Sequence, residues 1–147
     1  MRKSLLAFVA LAAALNLCAS AAFAGPIEDR QAAMKANGQT MKILGGMAQG
    51  ESPCDAAVVK EQGEAMAARF DAVRNLFPSG SDKGPPETYA KAEIWSDPEG
   101  FTAALDKAMD ASLALAAVTD EAQLKEAVGN VGGTCKGCHD KYRRPKD

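Results

Sequence analysis

Cys135-Lys136-Gly137-Cys138-His139 sets two thiols three positions apart, with the only histidine of the chain directly after the second. On a helix, side chains at i and i+3 share a face. Two thiols so placed can reach the two vinyl groups on one edge of a porphyrin and form thioethers, while the neighbouring imidazole turns to the iron from one side. C-x-x-C-H is the attachment sequence for c-type haem. Other chemistries compete for the same residues. A thioredoxin-like dithiol also uses C-x-x-C, but it belongs beside a βαβ pattern that this sequence lacks. A zinc site would recruit Cys54 with Cys135, Cys138 and His139, although the usual second close pair of ligands is missing. A plain Cys135–Cys138 disulfide suits helical spacing poorly.

The start of the chain bears on this choice. Arg2 and Lys3 precede an apolar run from Leu5 to Leu17 that only Asn16 interrupts, and Ala22-Phe23-Ala24 follows. This is the layout of a cleaved secretory signal over residues 1–24, and its apolar run is too short to span a bilayer. The remainder, 25–147, suits a single domain. Cys18 leaves with the leader, so Cys54, Cys135 and Cys138 remain, and three cysteines cannot complete a disulfide framework in an oxidising compartment. The full chain carries a net charge of −2, and loss of two leader cations makes the mature chain −4. That balance gives no support to nucleic-acid binding. No second apolar run is long enough for a membrane span, so the expectation is a periplasmic protein without stable membrane insertion. Export also agrees with haem attachment, which is carried out on the far side of the membrane.

The elements that must position the pentad read as four helices. The first covers about Ile27 to Ala48, where Ile27, Met34, Met41 and Ala48 recur every seven residues and share a face. Gly38 and Gly45 fall near that face, and each costs about 1 kcal/mol against alanine. Either a flat partner or tight helix packing would account for them. The second helix runs from about Asp55 to Leu76, with Val59, Gln62, Met66, Phe70, Val73 and Phe77 as its stripe and Gln62 the single polar member. Residues from Pro78 to Asp97 form a loop or short irregular segment. Ser96 or Asp97 caps the third helix, with Pro98 in its first turn and Phe101, Leu105, Ala108, Ser112 and Leu115 facing inward. Thr119 or Asp120 caps the fourth, which Pro145 ends. On it Leu124, Val128, Val131, Cys135, Cys138 and Tyr142 step by three and four, so both cysteines face what the bundle encloses. No sustained two-residue alternation suggests a sheet. The expected fold is an all-α, antiparallel up-down four-helix bundle.

With pentad and helices assembled, the sequence resembles the class II c-type cytochromes, the cytochrome c prime family. The resemblance covers nearly all of the mature chain. It rests on the run from Val131 through the pentad to Arg143, on Ala92-Glu93-Ile94-Trp95, and on Arg30 four residues before Met34. Met34 to Gly38, followed by Leu44 to Ala48, is most similar to the low-spin, methionine-ligated branch. Cys54 stands where relatives often have an aromatic residue.

The resemblance implies one covalently bound haem c, with Cys135 and Cys138 as thioethers and His139 on the iron. It also implies positions close to the haem for Arg30 and Arg143. Helix geometry selects a sixth ligand. In an up-down bundle the first and fourth helices run antiparallel. His139 lies about 7.5 Å from the end of its helix and Met34 about 10.5 Å from the start of its own, so the two are level. Met41 lies about 10.5 Å further along. Met34 is therefore the expected second axial ligand, and His/Met ligation favours one-electron transfer. The alternative is a five-coordinate, high-spin protein that binds gases such as NO or CO, and the distant one is a zinc-stabilised bundle. No nucleophile–base pair suggests an enzyme. Lys136, Lys141, Arg143, Arg144 and Lys146 make a basic end that suits weak, transient docking of an acidic redox partner, or that is simply a solvated helix terminus. Family members also associate as homodimers.

Overall fold

The structure, a computed structural model, describes residues 25–145. The expected secretory leader, residues 1–24, and Lys146 lie outside the described residues. Among the described residues five helices follow in order: α1 Pro26–Ala48, α2 Ala56–Val73, α3 Glu93–Ser96, α4 Pro98–Ala116 and α5 Glu121–Tyr142. α3 is a single turn within the stretch expected to be irregular, and α2 stops at Val73 rather than Leu76. Aspartates begin three of the long helices, because a carboxylate can accept from the unpaired N–H groups of a first turn. Asp55 accepts from Ala57 and Val58, Asp97 from Gly100, and Asp120 from Gln123. α1 starts instead at Gly25, with Pro26 in its first turn and Glu28 and Asp29 complementing the dipole.

The long helices form a ring in which α1 packs on α2 and α5, while α4 packs on α2 and α5. The inner face of α4 is Phe101, Leu105, Ala108, Ser112 and Leu115, all buried, as its spacing predicts. The Ser112 hydroxyl is satisfied by donating to the Ala108 carbonyl at 2.7 Å. On α5, Leu124, Val131 and Tyr142 are buried, whereas Val128, Cys135 and Cys138 are half-buried.

α1 departs from its expected face. Its buried residues are Ile27, Arg30, Asn37, Thr40, Leu44 and Met47, and the Met34–Met41 row lies beside them, half-buried. Three polar side chains are inside because each has a partner on another element. Thr40 donates to Gln62 at 2.9 Å, which also explains the one polar member of the α2 stripe. Asn37 accepts from Arg69 at 2.7 Å. Arg30 donates to Leu76, Ser81 and Thr88.

The tightest helix approach is at Gly63 of α2. A Cβ there would stand 2.7 Å from the Cβ of Ala116 and 2.8 Å from its backbone. Neither Gly38 nor Gly45 is packed this way, so tight helix packing does not explain these two glycines.

Candidate functional site

The segment between α2 and α4 fixes the α5 end that carries the pentad. Ala90 bridges Arg143, Lys91 N–H donates to the Tyr142 carbonyl at 3.0 Å, and Arg144 N–H donates to the Tyr89 carbonyl at 2.8 Å. Tyr142, on the inner stripe of α5, is buried and its hydroxyl donates to Asp97 at 3.0 Å. Lys141 donates to the same carboxylate at 2.6 Å. Those two bonds, with the Gly100 N–H, hold the Asp97 carboxyl below its ordinary range. The start of α4 is thereby tied to the end of α5. A run of edge-on rings from Trp95 to Phe77, Phe101 and Tyr142 backs this corner. Trp95 is a packing anchor, its indole N–H donating to the Phe77 carbonyl at 3.0 Å.

Above this corner a cleft of about 190 Å³ opens between the helices. α5 contributes Cys135, Cys138 and His139; α1 contributes Met34, Asn37, Gly38 and Met41; Phe70, Leu105 and Ala108 complete it. Both thiols are free. Burial raises the pKa of each, and the neighbouring Cys135 adds to the effect at Cys138, which is pushed up to about 11. His139 is half-buried. Burial, and then the Arg143 cation, lower its pKa, with Asp140 opposing. The imidazole therefore stays neutral near pH 7, the state in which it can offer a lone pair to a metal.

Of the sequence-predicted site residues, Met34, Cys135, Cys138 and His139 come together. Met41 joins them, although helix rise had placed it too far along. Arg30 and Arg143 do not line the cleft. Arg30 spends its guanidinium on the 76–88 segment and stacks on Phe77, 4.6 Å from the ring centre. Arg143 is exposed at the end of α5, its N–H donating to the His139 carbonyl. Cys54 is half-buried and does not line the cleft either. Among the described residues no three His, Cys, Asp or Glu side chains are placed to hold a metal ion, so the arrangement that the zinc reading needed is not formed. Sequence reasoning did not assign Asn37, Phe70, Leu105 or Ala108 to the site. The last three were visible only as members of inner stripes.

The residues fit a haem. Two free thiols and a neutral imidazole share one largely apolar cleft, and beside Gly38 a Cβ would meet nothing within 4 Å, leaving room for a flat group. Fold and site together define a c-type haem protein on a four-helix bundle. The family model described as Cytochrome C' matches residues 25–143. Cytochrome c' of Rubrivivax gelatinosus is 42% identical over 120 residues, covering 80% of this chain and 92% of that one. Cytochrome c' of Pararhodospirillum photometricum is 40% identical over 120 residues, covering 80% and 94%. The solved cytochrome c' of Rhodopseudomonas palustris superposes with a TM-score of 0.77 at 34% identity, covering 84% of this chain and 99% of that one. The chain belongs to the cytochrome c' family, which binds one covalent haem c per chain. These likenesses establish the family without singling out its methionine-ligated branch.

Proposed function

We propose that this chain is a periplasmic cytochrome c' whose haem is five-coordinate and binds small gases such as NO or CO. Cys135 and Cys138 hold the haem, and His139 alone ligates the iron. The observation that carries the reading is the single cleft in which both thiols and the imidazole face the α1 wall. Its support for ligation comes from the family, whose members are typically high-spin and five-coordinate. When bound, haem supplies an iron that changes charge by one electron and takes a diatomic gas at an open axial position. His139 supplies a neutral imidazole held on α5, and Phe70, Leu105 and Ala108 exclude water. Met34, on the α1 wall of the same cleft, would pack against the haem. Export rests on the leader, and no helix among the described residues is long and apolar enough to cross a membrane.

The presence of Met34 on the cleft wall favours a second reading, in which its thioether ligates and the protein is a low-spin one-electron carrier. Absorption spectra of the reduced protein with and without carbon monoxide separate the two. The five-coordinate reading expects a high-spin spectrum and immediate uptake of the gas. A low-spin spectrum that becomes high-spin only in Met34→Ala overturns it. Haem that leaves the Cys135→Ser/Cys138→Ser variant in acidic organic solvent, but stays on the wild type, supports the attachment residues. Haem lost from both rejects them.

A further inference from the structure

Asn37 is 5% exposed and lines the haem cleft. Its oxygen accepts from Arg69 Nη1 at 2.7 Å. A guanidinium only donates, so the carbonyl end of the amide must face Arg69 and the NH₂ end must turn away. Among the described residues that buried Nδ2 has no hydrogen-bond partner, and it is the one buried side-chain polar atom of which this is true. Buried donors are nearly always satisfied. The α1 wall offers no acceptor beyond two weak thioethers, since Met34, Gly38 and Met41 are its other members. Phe70, Leu105 and Ala108 add none. The acceptor must therefore come from what fills the cleft. The face of a porphyrin presents no free lone pairs, because its nitrogens are bound to the iron, and its carboxylates belong at the wet edge. The outer atom of a gas on the iron is an acceptor.

We propose that the Asn37 amide N–H donates a hydrogen bond to the diatomic gas held on the haem face covered by α1. The proposal rests on the five-coordinate reading above. Arg69 is then a positioning residue: by capturing Oδ1, and by lying near Thr40 at 3.3 Å, it stops the amide from flipping. A donor at this point stabilises charge drawn onto the gas and retains it longer, a lever that haem proteins exert through the polarity of this pocket.

The test uses the haem-loaded wild type, Asn37→Leu and Asn37→Asp, each reduced and saturated with carbon monoxide. Leucine keeps the volume and removes the donor. Aspartate keeps the bond to Arg69, which holds it ionised, and presents lone pairs where the N–H was. The C–O stretching frequency should be lowest in the wild type, higher in Asn37→Leu and highest in Asn37→Asp. Carbon monoxide should dissociate about threefold to tenfold faster from Asn37→Leu, the range expected for one net hydrogen bond. A frequency unmoved in both variants overturns this inference alone. A wild type that takes up no carbon monoxide overturns the five-coordinate reading and this inference with it. Should Asn37→Leu fail to fold, Asn37→Asp alone decides, by a rise in frequency or none.

Discussion

Replacing Arg30 by methionine should destabilise the fold while leaving the haem spectrum as it is. Arg30 is 4% exposed. Its Nη1 donates to the Leu76 carbonyl and the Ser81 hydroxyl, both at 3.0 Å, and its Nη2 to the Ser81 carbonyl at 2.6 Å and the Thr88 hydroxyl at 2.8 Å. One side chain thus closes the loop between α2 and α4 onto α1. Each hydrogen bond from a charged donor contributes about 1.5–3 kcal/mol. Desolvation of the cation, visible as a pKa lowered by burial, offsets part of that. Methionine keeps most of the apolar stem over Phe77. The two hydroxyls keep other contacts, Ser81 donating to Pro78 and Thr88 accepting from Ala90. The carbonyls of Leu76 and Ser81 do not, and orphaning the buried Ser81 acceptor and the partly buried Leu76 one costs about 1–3 kcal/mol each. A net loss of about 3 kcal/mol follows, and at about 4 °C per kcal/mol for a domain of this size the melting temperature falls by about 12 °C. Arg30→Lys should lie between, because an ammonium cannot fork to four acceptors. Far-ultraviolet circular dichroism during heating reads the loss, and the visible spectrum at 25 °C reads the haem. An unchanged melting temperature together with a shifted haem spectrum would refute the argument and return Arg30 to the haem.

Gly63→Ala should lower stability by about 1–2 kcal/mol, overpacking against Ala116 outweighing the propensity gain; Gly129→Ala, where a Cβ meets nothing, should raise it by up to about 1 kcal/mol. Denaturant midpoints of the two variants check the contrast. Asp97 has a depressed folded pKa, so its contribution is present above its unfolded value near 4 and fades as pH falls through the lower folded one. The stability gap between wild type and Asp97→Asn, followed by thermal melts from about pH 6 to about pH 2, should therefore narrow on acidification. On the electron-carrier reading, docking of an acidic redox partner at the α5 end should slow as salt rises. Because Lys136 and Lys141 are already paired with Asp140 and Asp97, Arg143→Ala should flatten that salt dependence more than Lys136→Ala in stopped-flow rates.

What could be read without coordinates was local or periodic. The proposed attachment chemistry sits in five consecutive residues, because two thioethers and an imidazole offered to one porphyrin would require groups about a single helical turn apart. The inner faces of α4 and most of α2 were legible for a related reason: apolar side chains at three- and four-residue steps need only a partner surface, not a particular partner. The bundle followed from four amphipathic stretches joined by mostly short connections, although the face expected for α1 was not the one it buries. Tertiary structure alone decided the polar interior. Arg30, Asn37 and Thr40 are buried because Ser81 and Thr88, Arg69, and Gln62 meet them from other elements. The hydroxyl of Tyr142 turns inward for Asp97, and Gly63 is required by Ala116. A buried polar group is tolerated only where a donor or acceptor arrives at bonding distance, and no spacing along one helix encodes what another helix or loop will bring. The same reason hid the Asn37 amide, whose orientation is set 32 positions away by Arg69.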